Sequence, residues 1–97
     1  MWTGTLELDL LLGDVHSLKD KRSVVRPIVA EIRRRHDVAV AEVDHVELHR
    51  RAGIGVAAVS GDQAHVLQLL DAVEDLVAGR PEVELLSARR TLHSSED

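Results

Sequence analysis

The sequence predicts an α+β fold of the ferredoxin-like kind, β-α-β-β-α-β, with a four-stranded antiparallel sheet and two helices on one face. Three observations predict it. Residues 2–12 alternate with period two, the mark of a half-buried strand. Two segments, 17–36 and 61–78, carry apolar residues at helical spacing. Between them lie two consecutive short runs of β-branched and small residues, and a last such run follows the second helix. That order is the split βαβ plan.

The first strand places Trp2, Gly4, Leu6, Leu8, Leu10 and Leu12 on one face and Thr3, Thr5, Glu7 and Asp9 on the other. Gly13-Asp14 signals a turn. Ser17 can N-cap the first helix, with Asp20 favouring its positive end. Leu18, Val25, Ile28, Val29 and Ile32 then share one sector at 100° per residue. Pro27 is discordant, because it cannot donate to the carbonyl of Ser23. Either it kinks the helix, or residues 18–22 form a separate turn and Ser23 caps the main helix. Residues 38–43 and 52–60 read as the second and third strands, joined by a polar connection over 44–51 with room for a helical turn. Gly61-Asp62 opens the second helix, and Gly79-Arg80-Pro81 ends it. Residues 82–92 read as the last strand. The domain is expected over residues 1–92, with a flexible C-terminal tail at 93–97.

Composition narrows the function classes. The 97 residues suit one domain, and 14 Leu with 14 Val suffice for a core. There is no Cys, which excludes disulfides, thiolate metal sites and cysteine nucleophiles. Trp2 is the only aromatic, too few for a base-stacking RNA platform. No signal peptide or membrane-length apolar run is visible, so a cytoplasmic location is expected. The net charge of −5 falls entirely in residues 52–97; residues 1–51 balance.

The first helix concentrates positive charge. Residues 17–36 hold seven Lys/Arg against two Asp/Glu. Lys19, Arg22, Arg26 and Arg33 fall in one stripe with Arg34 beside it, pointing away from Asp20 and Glu31. Guanidinium forks along a helix edge suit phosphate oxygens, although such runs are also ordinary solvated surface. A second candidate is Asp44-His45-Val46-Glu47-Leu48-His49. On a helical turn, His45 and His49 would share a face, with Asp44 or Glu47 completing a metal site. The order is not His-Glu-x-x-His, so a polar connection is the expected reading and no metal is assigned. Gly-x-Ser-x-Gly and Walker patterns are absent, and the chain's lack of Asn speaks against an acylphosphatase-like site. No cofactor and no catalytic residue are expected.

Ser17-Leu18-Lys19-Asp20-Lys21-Arg22-Ser23-Val24-Val25 resembles the signature of the YlxP-like, DUF503 family of small bacterial proteins. A second match is Val40-Ala41-Glu42-Val43-Asp44-His45, followed by Leu48 and Arg51. The resemblance spans essentially the whole chain and implies a ferredoxin-like domain. Genes of the family often stand near those of translation initiation factor two and ribosome-binding factor A, which implies ribosomal RNA or a ribosomal subunit as partner. Where many members carry an aromatic after this second motif, His49 stands here.

The expected function is therefore a non-catalytic RNA- or ribosome-associated module. Lys19, Lys21, Arg22, Arg26, Arg33 and Arg34 would contact phosphate, and Arg50 and Arg51 would extend the patch if their connection lies nearby. Two rivals stand beside it. One is a homodimeric interaction module that uses the open sheet face, where Ala39, Ala41, Gly55 and Ala57 are small. The other, remote, is a metal-assisted hydrolase built on Asp44, His45, Glu47 and His49.

Overall fold

A computed structural model describes residues 1–96. It runs β1 (Trp2–Leu12), α1 (Leu18–Arg35), β2 (Ala39–Asp44), β3 (Arg51–Ser60), α2 (Gln63–Ala78) and β4 (Val83–Ser94). The four strands form one antiparallel sheet in the order β2-β3-β1-β4, with two helices, the expected ferredoxin-like arrangement.

The alternation in β1 decides which face becomes the core. Leu6, Leu8, Leu10 and Leu12 are buried, and β3 adds Ala52, Ile54, Val56 and Ala58. These sets share a face because Leu6 stands opposite Val56 and Leu8 opposite Ile54. Against this layer α1 lays Val25, Ile28 and Ile32, and α2 lays Val66, Leu70, Val73 and Val77. Each such side chain stabilises the fold by about 1.5–3 kcal/mol on burial.

Local rules account for the helices. Ser17 caps α1 by accepting from the Asp20 backbone N–H at 3.0 Å, and Asp62 caps α2 through Ala64 at 3.1 Å. Arg33, Arg34 and Arg35 occupy the last turn of α1, where cations favour the dipole. The helix is continuous from Leu18 to Arg35, so the separate turn over residues 18–22 does not form. Ser23 and Pro27 are both exposed, so the carbonyl that Pro27 cannot serve lies on the side open to water.

Gly4 is where α2 meets the sheet. A Cβ there would fall on Val66 Cγ1 and 2.9 Å from Leu70 Cδ1. Gly4→Val is therefore expected to destabilise the domain by about 1–3 kcal/mol through overpacking. A lower urea midpoint with an unchanged slope would register this; an unchanged midpoint would contradict it.

The strands differ from expectation at their ends. β2 runs one residue later than expected, and β4 continues through Ser94. His93 and Ser94 are therefore strand residues rather than tail. Ser94 is buried, and the Ser95 N–H donates to the Met1 carbonyl at 3.0 Å. The last residue of the expected tail, Asp97, lies outside the described residues. β4 is held to α2 by Arg90, which reaches Asp71 at 2.7 Å and Glu74 at 3.1 Å. Burial lowers the Arg90 pKa, but the hydrogen bonds and charges of the two carboxylates outweigh it and raise it. Among the described residues no helix is long and apolar enough to cross a membrane.

Candidate nucleic-acid interface

Helix geometry sorts the basic residues of α1. With Lys21, Val25, Ile28 and Ile32 turned inward, Lys19, Arg22, Arg26 and Arg33 fall within about 60° of one another on the outer side. All four are exposed. Among the described residues, Lys19, Arg22 and Arg26 make no ion pair. Arg33 marks where the stripe meets the sheet, since its Nη2 donates to the Val40 carbonyl of the edge strand β2 at 3.0 Å. That bond also occupies an edge carbonyl that another strand could otherwise use. Arg34 is exposed and only loosely approached by Glu31, at 3.9 Å.

Lys21 does not belong with them. Its side chain is 2% exposed. The ammonium lies 2.9 Å from a Glu42 carboxylate oxygen and donates to the His45 carbonyl at 2.6 Å and toward Val46 at 3.4 Å. It therefore ties α1 to the end of β2 and to the connection beyond, and cannot also reach phosphate. The sequence carried a signal for this. Lys21 precedes Val25, Ile28 and Ile32 by four, seven and eleven residues, which places it on the apolar stripe. A buried lysine needs a carboxylate and carbonyls to receive it, and those are far along the chain.

Arg50 and Arg51 do not extend the stripe either. Arg51 alternates with the core residue Ala52, so it projects from the sheet face opposite the helices. There it grips both carboxylate oxygens of Asp9, its Nε at 3.1 Å from Oδ1. Arg50 Nε donates to the Leu12 and Gly13 carbonyls at 3.2 and 3.0 Å, closing the end of β1. Both guanidinium groups are thus engaged within the chain.

The connection between β2 and β3 is a turn, not a helical turn. His45 has φ 56°, in the left-handed region that a helix cannot include, and the Leu48 N–H returns to the His45 carbonyl at 3.0 Å. Asp44 and Lys21 hold this conformation by bonding the His45 N–H and carbonyl, at 2.8 and 2.6 Å. The shared helical face imagined for His45 and His49 does not arise. Instead the His45 ring stands 3.5 Å from Asp9 and 3.9 Å from Asp44. Among the described residues no group of three or more His, Asp or Glu is placed to hold a metal ion.

These residues rim a cavity of about 340 Å³ on the open sheet face, walled by Glu7, Asp9, Asp44, His45, Ser87 and Arg89. Its floor is Gly53. A Cβ there would lie 2.6 Å from Asp44 Cβ and 3.2 Å from Asp44 backbone, so only glycine lets the irregular end of β2 lie this close. The charges here pair with one another, Asp9 with Arg51 and Glu7 with Arg89. Of the two groupings, only the outer edge of α1 presents cations without carboxylate partners.

A family model described as "Protein of unknown function (DUF503)" matches residues 3–90. The chain is also similar to the "Uncharacterized protein YlxP" of Bacillus subtilis (strain 168). The two are 28% identical over 81 residues, which cover 84% of this chain and 88% of that protein.

Proposed function

The chain belongs to the DUF503 family, and from that premise we propose that it is a small non-catalytic module that binds the phosphate backbone of structured ribosomal RNA along the outer edge of α1. Lys19, Arg22 and Arg26 support this reading. They stand exposed on one side of a capped helix with no carboxylate partner among the described residues. Arg33 and Arg34 continue the same edge. From Lys19 to Arg33 the stripe spans about 21 Å at 1.5 Å per residue, long enough to follow a backbone rather than a single phosphate. An unpaired guanidinium gains more from a phosphate than one already gripped by a carboxylate, and each contact releases counterion. The chain has one aromatic, so recognition follows shape and backbone rather than stacked bases. The acidic remainder of the molecule, α2 in particular, keeps non-specific attraction weak.

Titration of a structured ribosomal RNA fragment at several salt concentrations tests it. Three to five backbone contacts predict a slope of log affinity against log salt of about −2 to −4.5. No binding, or binding indifferent to salt, overturns the proposal.

A further inference from the structure

We propose that the open face of the sheet is the contact surface of a homodimer, two copies stacked face to face across a twofold axis. Antiparallel sheets tolerate water on one face when that face is polar. Half of this one is not. Ala39, Ala41, Gly55 and Ala57 line a shallow trough of about 420 Å³. The register carries the same face onward to Val59 at one end of the trough and Val43 at the other. Both valines are more than half exposed, at 60% and 56%. A twofold axis through the middle of the trough sets the small residues of the two copies against each other, so the sheets approach closely there, with the valines closing the two ends of the contact.

Three further features favour a second copy over another occupant. In a twofold contact every charge faces its own kind unless the surface is balanced. Here Glu7 with Arg89, and Asp9 with Arg51, cancel in pairs beside the trough, although the chain as a whole carries −5. The area suffices. Strands about 4.8 Å apart rising about 3.3 Å per residue give the face roughly 570 Å² in plane, or about 1,100 Å² for two copies. That clears the roughly 1,000 Å² expected of a specific interface. Association through the β2 edge is obstructed, because Arg33 occupies the Val40 carbonyl there. A twofold contact through the face closes at two. The basic edge of α1 lies on the helix side and stays free in the dimer.

Light scattering or sedimentation equilibrium at tens of micromolar is expected to show twice the 10.7 kDa chain. Ala57→Glu puts like charges opposite each other in the trough and is expected to weaken self-association about 100-fold. Ala41→Glu, on the exposed edge strand, is a second variant in case the first impairs folding, which circular dichroism checks. Ala30→Glu, on the outside of α1, is expected to leave the dimer intact. A wild-type monomer at that concentration overturns the proposal. So does a dimer that both folded face variants leave unchanged.

Discussion

Lys21→Ala is expected to destabilise the domain by about 3–5 kcal/mol, a large share of the roughly 5–15 kcal/mol available to a domain. Removal of the ammonium leaves Glu42, three-quarters buried, without its counter-charge, and leaves the His45 and Val46 carbonyls without their donor. Replacing both ends of the ion pair, Lys21→Met with Glu42→Leu, is expected to recover most of the loss, because no charge is then stranded. Urea unfolding of wild type, Lys21→Met, Glu42→Leu and the double variant closes a double-mutant cycle, and a coupling above about 1 kcal/mol is predicted. Additive effects would mean that the two side chains act independently.

Arg22→Glu with Arg26→Glu is expected to abolish most RNA affinity while leaving stability within about 0.5 kcal/mol of wild type. Both side chains point outward and touch no partner, so the core beneath, Val25, Ile28 and Ile32, is undisturbed. Two lost phosphate contacts should flatten the salt slope by about 1.4–1.8. Asp75→Lys, exposed on α2, adds positive charge away from the stripe and is expected to change the slope little. Tighter binding and a steeper slope for Asp75→Lys, opposite in sign to the arginine pair, would show that binding responds to net charge and not to this helix edge.

The fold was legible because its signals are local. Period two in β1, the stripe in α2, the Ser17 cap and the opening of α2 at Gly61-Asp62 each need only neighbouring residues, and each was met. What escaped depends on contacts between distant segments. Lys21 looked like its basic neighbours because its partners Glu42 and His45 lie 21 and 24 positions away. Arg51 looked like an extension of the stripe because strand register, which put it beside Asp9 on the other face, is invisible in composition. The turn at His45 was missed because no glycine marks it; the neighbouring Asp44 carboxylate and the distant Lys21 ammonium hold the left-handed residue in place. Both segments that carry the family resemblance meet at this point, one supplying Lys21 and the other Glu42 and His45. Their spacing in sequence therefore reflects a structural tie at least as much as a binding surface.

The basic signature thus divides into a lysine that builds the fold and neighbours that face outward, and one measurement tests that division most directly. It is the salt dependence of RNA binding for wild type, for Arg22→Glu/Arg26→Glu, and for the refolded pair Lys21→Met/Glu42→Leu. The predicted result is a steep slope for wild type, the same slope for the Lys21 pair, and a slope flatter by about 1.4–1.8 for the arginine pair. A wild-type protein without salt-dependent binding would contradict it, as would a Lys21 pair that loses the slope increment of about 0.7–0.9 belonging to one phosphate contact.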